Sequence, residues 1–298
     1  MTELENLDGL SKETTKKGRL QRACLDLLAE HEADGALPTS SRFLFYELLG
    51  RGVVPKVYRH PDGTERPRKP SQDISDATNV LREAGRIPWG WLVDESRTLD
   101  NWRYASSVYQ YVEDTLPLAR IDVWAGEPPP LILCESRSLA GAVRHIAQDH
   151  LCPIAATNGQ AGGFLHTEVA PLVAQGGGPK RVLYLGDLDL SGGHIEENTR
   201  RVLSSYGTLE WRRVAITRAQ VEEHSLPFVS KPDYRFKPAR AFEAVETEAL
   251  GQTEILRLLT SALEDAAPEP LAQVRERERR QRVQVRERLD ELLDRLEE

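Results

Sequence analysis

The chain has 298 residues, a formal net charge of −8, 40% hydrophobic residues and 29% charged ones, which is the composition of soluble globular protein and enough length for two domains. No run of eighteen apolar residues occurs, so no membrane-spanning helix is expected, and the acidic opening Met1-Thr2-Glu3-Leu4-Glu5-Asn6 is not that of a secretory signal. Cys24, Cys134 and Cys152 have neither CxxC spacing nor even parity; they read as reduced thiols in or near the core of a cytoplasmic protein. The acid excess argues only weakly against nucleic acid, because binding follows the local field rather than the total. Between Arg51 and Lys69 the field is basic: Arg51, Lys56, Arg59, Arg66, Arg68 and Lys69 face only Asp62 and Glu65.

Residues 1–17 form a polar lead. From Gly18 to about Glu32, Leu20, Cys24, Leu27 and Leu28 recur at helical spacing. Pro38-Thr39-Ser40-Ser41 is a cap signal for a second helix closed by Gly50-Arg51-Gly52. Residues 58–72 are a Pro-, Gly- and charge-rich loop, and a third helix is expected from Ser71 to Gly85. The aromatic stretch Ile87-Pro88-Trp89-Gly90-Trp91-Leu92-Val93 suits a strand or a wing. This order predicts a winged helix-turn-helix domain over 18–125. The linker 126–130, Gly-Glu-Pro-Pro-Pro, marks a domain boundary.

Beyond it, strands and helices alternate. Leu131 to Cys134 is a short apolar run suited to a buried parallel strand. A helix over 138–149, a strand over Pro153–Ala156, a helix over Phe164–Val173, a strand over Arg181–Leu185, a helix over about 192–204 and a strand over Trp211–Ile216 follow. This predicts an α/β domain, a doubly wound parallel sheet, over 131–270. Residues 271–298 predict a charged C-terminal helix whose stripe Val285, Leu289, Leu292, Leu296 suits packing on the body or a partner helix in a homodimer.

Glu135 falls just after the first of these strands, and Asp187 and Asp189 just after the third. The carboxyl ends of parallel strands form the ligand crevice, and residues at i and i+2 in extended backbone project to one side. Three hard carboxylates with room for water suit Mg²⁺, or Mn²⁺ in its place. Ser191-Gly192-Gly193 lets the backbone approach a ligand at the start of the next helix. A lone DxD is weak evidence; the matching Glu135 strengthens it.

Leu131-Ile132-Leu133-Cys134-Glu135-Ser136, Ala156-Thr157-Asn158-Gly159-Gln160 and Leu185-Gly186-Asp187-Leu188-Asp189-Leu190-Ser191-Gly192-Gly193 resemble the Toprim signature of topoisomerases, primases and nucleases. Downstream, Trp211 to Thr217, Leu226-Pro227 and Val245-Glu246-Thr247-Glu248-Ala249-Leu250 resemble the A subunit of type IIB topoisomerases (topoisomerase VI). The likeness covers about residues 130–250. In that family a winged-helix domain precedes the Toprim domain and carries a tyrosine in a motif like Arg-Asp-Ile-Tyr-Tyr. Ser41-Arg42-Phe43-Leu44-Phe45-Tyr46-Glu47-Leu48 matches it, with Phe43 in place of the acid, and the short chain is most similar to the single-chain "mini-A" relatives.

The resemblance implies a Mg²⁺-dependent DNA-cleaving enzyme with Glu135, Asp187 and Asp189 as catalytic metal ligands and Tyr46 as the nucleophile. Arg42, one turn before Tyr46 on the same helix, is placed to reach its hydroxyl or a phosphate. The bland reading of Tyr46 is a core-edge aromatic beside the pairs Leu44/Leu48 and Phe45/Leu49. Lys56, Arg59, Arg66, Arg68 and Lys69 are expected on the phosphates of double-stranded DNA, and Asn79 and Arg82, on the polar face of the third helix with Asp73 and Asp76, are further candidates for DNA contact, although a solvated face is the commoner role there. His194 stands near the DxD loop, where a structural role is commoner than a metal or phosphate contact. His145 and His150, five apart, do not suit one metal. Glu246 and Glu248 fit a helix start, an arginine pair or a metal equally. No Gly-rich nucleotide loop is present, so an ATPase or SMC-like partner would be a separate chain. Three functions stand at this point: tyrosine transesterification through a 5′-phosphotyrosyl link, metal-dependent hydrolysis, and a non-catalytic winged-helix DNA-binding module.

Overall fold

The computed structural model describes residues 10–12, 14–93, 101–157, 162–175, 178–233 and 240–297. The quoted Asn158-Gly159-Gln160 and the glycines at 176 and 177 lie outside them, as does the side chain of Leu296.

The N-terminal domain is built from α1 (Lys16–Ala33), α2 (Ser41–Gly50) and α3 (Pro70–Glu83). Each starts where a local signal places it. Thr15 and Ser40 accept backbone N–H bonds at the starts of α1 and α2, and Pro70 opens α3, where its missing N–H costs nothing. Leu20, Cys24, Leu27 and Leu28 of α1, Leu44, Phe45 and Leu48 of α2, and Ile74, Ala77 and Leu81 of α3 share one buried core.

Two expectations here are corrected. Trp89–Trp91 is a 3₁₀ turn, not a strand or wing; the segment meets the body through one parallel bridge, Thr39 to Leu92. Arg82 donates to the carbonyls of Trp89 (2.8 Å) and Leu92 (2.6 Å), and bonds of that kind suit a turn better than a ladder. A hairpin-like arm sits earlier, inside the basic loop, where Arg59 bridges Glu65 and Arg66 N–H donates to Tyr58 at 2.8 Å.

After α4 (Val108–Thr115) the chain enters a four-stranded parallel sheet of order β2-β1-β3-β4, with β1 Leu131–Cys134, β2 Ile154–Ala156, β3 Lys180–Leu185 and β4 Leu209–Ala215. Both faces are covered, which is why β1 is apolar throughout. Ile132, Cys134, Leu183 and Leu185 pack against α5 (Arg137–Asp149) and α10 (Gln252–Ala266). Leu131, Leu133, Val182 and Tyr184 pack against Leu165, Val169, Ala170, Val173 and Leu203. The first four of those lie in a run from α6 (Gly162–Phe164) through a π-helical turn, Leu165–Val169, into α7 (Ala170–Ala174). Leu203 belongs to α8 (Leu190–Ser204). Val123 and Trp124, upstream of the proline run, already belong to the sheet's core, and the Trp124 indole donates to the His150 carbonyl at 2.7 Å.

After α9 (Arg218–Glu223), β5 (Val229–Asp233) pairs antiparallel with β6 (Arg240–Ala244). The C-terminal helix α11 spans Leu271–Glu297; Val274 is buried against the sheet domain, whereas Val283, Val285 and Leu292 are exposed. Among the described residues no helix is long and apolar enough to cross a membrane.

The two domains meet at α2. Phe43 is fully buried and belongs to the core of the sheet domain, although its helix belongs to the other. It is an apolar plug worth about 2 kcal/mol of burial. Beside it, Glu47 accepts from the Gln252 N–H at 3.0 Å and pairs with buried His31 at 3.0 Å, while the Gln252 side chain donates to the carbonyls of Ala36 and Pro38.

Candidate metal and nucleophile site

The site forms where the end of β3 meets the segment after β6. Leu188 and Val245 exchange backbone hydrogen bonds of 2.9 and 3.0 Å, and this antiparallel bridge carries Glu246 and Glu248 to the loop that holds Asp187. The carboxylate oxygens of Asp187, Glu246 and Glu248 lie within 4.8 Å of one another, and all three residues are buried. Asp187 Oδ1 accepts from the Thr247 N–H (2.9 Å) and hydroxyl (3.0 Å), which leaves Oδ2 turned toward the other two acids.

This cluster differs from the expected Glu135, Asp187 and Asp189. Asp187 is common to both. Asp189 stands in extended backbone just before α8 and accepts from the Gly192 N–H at 2.6 Å, so its carboxylate caps its own helix. Glu135 accepts from the Asp187 N–H at 2.8 Å and ties the end of β1 to the end of β3. Gly192 is required at this crossing, since a Cβ there would come within 2.5 Å of the Asp187 carbonyl and 3.1 Å of Glu135 Oε2. Arg213, which sequence reasoning passed over, donates to the carbonyls of Gly186 (2.8 Å) and Ile216 (2.7 Å) and to Glu196 (2.9 Å), bracing the same loop from β4.

Arg42 and Tyr46 face this corner from α2. The Arg42 guanidinium pairs with Glu246, with Glu248 at 2.9 Å and with Asp187 at 3.6 Å. The Tyr46 hydroxyl accepts from Lys56 Nζ at 2.7 Å, and Lys56 lies 3.9 Å from Glu246 Oε1. Lys56, expected on DNA phosphate, is thus engaged with the tyrosine.

Burial, then Glu246, Glu248 and Glu135, push the Asp187 carboxyl up to about 8. Burial also raises Glu248, with Arg42 opposing it. Burial, followed by Glu246, drives the Tyr46 hydroxyl well above its ordinary value, against the pull of Arg42.

An anionic, all-oxygen donor set of this kind fits a hard divalent cation. Glu248 Oε2 is buried without a hydrogen-bond partner, which a cation would supply. Asp187, Glu246 and Glu248 would hold it.

A cleft of about 720 Å³ opens beside Tyr46, lined by Arg42, Lys56, Arg68, Lys69 and the start of α3. Of the residues expected on DNA, Arg66 and Lys69 are exposed and make no ion pair among the described residues. Asn79 is exposed as well. Arg68 is bound to Asp73 and to Asp76 (2.5 Å), and Arg59 to the Gly63 carbonyl (2.9 Å) and Glu65 (3.5 Å). Arg82 is held by the aromatic turn, as described above. His194 is exposed.

No known family model matches the chain, and no curated protein or solved structure matches it either.

Proposed function

We propose that this chain cleaves DNA by metal-dependent phosphodiester chemistry, with Tyr46 as nucleophile and Asp187, Glu246 and Glu248 as the metal-holding carboxylates. The winged-helix and Toprim reading of the two domains belongs to the same proposal. One observation carries it: a tyrosine hydroxyl, two cations and a buried carboxylate cluster form one connected group across the domain junction.

In this reading the Tyr46 oxygen attacks the scissile phosphorus and its proton passes to Glu246, the acid whose charge bears most strongly on that hydroxyl. The P–O3′ bond breaks, the 3′-oxygen leaves and takes up a proton, and a 5′-phosphotyrosyl link remains. Lys56, already donating to the hydroxyl, stabilises the oxygen as its proton leaves. Arg42 is placed to neutralise the phosphate, a task suited to a planar guanidinium. Bound Mg²⁺ would supply Lewis-acid stabilisation of the developing charge. Exposed Arg66 and Lys69 would hold the flanking backbone without reading sequence.

Hydrolysis by activated water is the second reading, and one observation favours it: the Tyr46 hydroxyl is buried and its ionisation disfavoured. The deciding experiment incubates the chain with supercoiled plasmid and Mn²⁺, denatures it, and looks for protease-sensitive protein on the cut ends. Covalent protein that disappears in Tyr46→Phe supports transesterification. Cleavage with free ends, unaffected by Tyr46→Phe, leaves hydrolysis standing, and no cleavage under any divalent ion sinks both.

A further inference from the structure

The three carboxylates already hold a cation. Arg42 reaches them from another domain, using Glu246 Oε2, Glu248 Oε1 and Asp187 Oδ2, one oxygen from each acid. Asp187 has little else to offer, because its Oδ1 is committed to Thr247 twice. A divalent ion held by the same three acids, with Glu248 Oε2 among its ligands, would compete with Arg42 for their negative charge, and a guanidinium left beside them would face it as a second positive charge.

From this competition, and resting on the metal site proposed above, we infer that Arg42 is the resident counter-cation of the cluster, displaced when metal binds. Its side chain is about one-third exposed toward the cleft that holds Tyr46 and Lys56. Its guanidinium carbon lies 5.9 Å from the Tyr46 ring centre. Displacement therefore moves the guanidinium out of the acids and into the space beside the tyrosine hydroxyl, where a phosphodiester would lie. Metal loading and the arming of the phosphate pocket become one event, and the chain without metal holds its phosphate-binding arginine out of use.

The test is Mn²⁺ binding by the full-length chain, measured by calorimetry without DNA, for wild type, Arg42→Gln, Arg42→Lys and Asp187→Asn. Arg42→Gln should bind Mn²⁺ about tenfold more tightly than wild type and show a larger Mn²⁺-dependent rise in Tm, because nothing competes for the oxygens. Arg42→Lys, which keeps the charge but loses the fork, should fall between them, and Asp187→Asn should lose most of the affinity. Folded Arg42→Gln with equal or weaker Mn²⁺ affinity overturns the inference while leaving the metal site intact. If neither wild type nor Arg42→Gln binds Mn²⁺, the metal site itself falls and takes the inference with it. Should Arg42→Gln not fold, wild-type affinity in Arg42→Lys overturns it.

Discussion

Asp187→Asn should stabilise the metal-free chain at alkaline pH. The Asp187 carboxyl sits at about 8 in the folded chain against 3.8 for the free group, through burial and then the neighbouring acids. Between those values the folded state holds a proton that the unfolded state has released, so stability falls as pH rises across that window. At about 1.4 kcal/mol per pH unit the full span sets a ceiling of about 6 kcal/mol. Glu248, itself raised by burial, shares the proton and softens the penalty, which brings the expected value to about 2 kcal/mol. Asparagine keeps a carbonyl oxygen for the two bonds from Thr247 and carries no charge. For a chain of this size the gain corresponds to a Tm about 4 °C higher than wild type at pH 8.5, and to no difference near pH 4. Thermal unfolding in a chelating buffer at both pH values measures it, and added Mn²⁺ should then raise the Tm of wild type alone. A variant that melts below wild type at pH 8.5 would refute the reasoning, since it would mean that pairing with Arg42 outweighs repulsion among the acids.

Four further outcomes follow from the same geometry. Tyr46→Phe removes the hydroxyl that Lys56 and Glu246 engage, so it should cost about 1 kcal/mol of stability yet abolish covalent attachment in the plasmid assay. Reversing Arg66 and Lys69 together should lower the salt dependence of DNA binding by about two in log–log slope, measured by anisotropy from 50 to 200 mM salt. Reversing Arg68 should instead lower the Tm, because it breaks pairs with Asp73 and Asp76. Gly192→Ala drives a methyl group into the Asp187 carbonyl and should weaken Mn²⁺ binding in calorimetry even where the circular dichroism spectrum is unchanged.

Much of this was legible in the amino-acid order, and the rest failed for identifiable reasons. Strand and helix alternation from Leu131 to Ala215 follows from apolar runs and caps, which are local, and the places of Glu135 and Asp187 just past strand ends are local features too. Glu246 and Glu248 reach Asp187 through the Leu188–Val245 bridge, a pairing across more than fifty residues that no spacing announces. Asp189 keeps the extended backbone that the i, i+2 argument assumes, but its carboxylate is taken up as the cap of α8, which spacing alone does not show. The charges of Lys56 and Arg82 do not tell that Lys56 is already held by the Tyr46 hydroxyl and Arg82 by the carbonyls of Trp89 and Leu92. Phe43 stood out as a departure, and only the packing shows that it belongs to the neighbouring domain's core.

The seam around α2 has a consequence for how copies of this chain would cooperate. Phe43 is sunk in the sheet domain, and Glu47 locks the same helix to the start of α10, so the tyrosine and the acids it faces are seated by one polypeptide. Under the proposed cleavage reading, each copy then brings an independent pair of scissors rather than half of a shared one. Two copies meeting on a duplex would cut separately, so their spacing alone would set the stagger of the break. A chain lacking its tyrosine could not be rescued by one lacking its carboxylates, and a mixture of the two would stay silent.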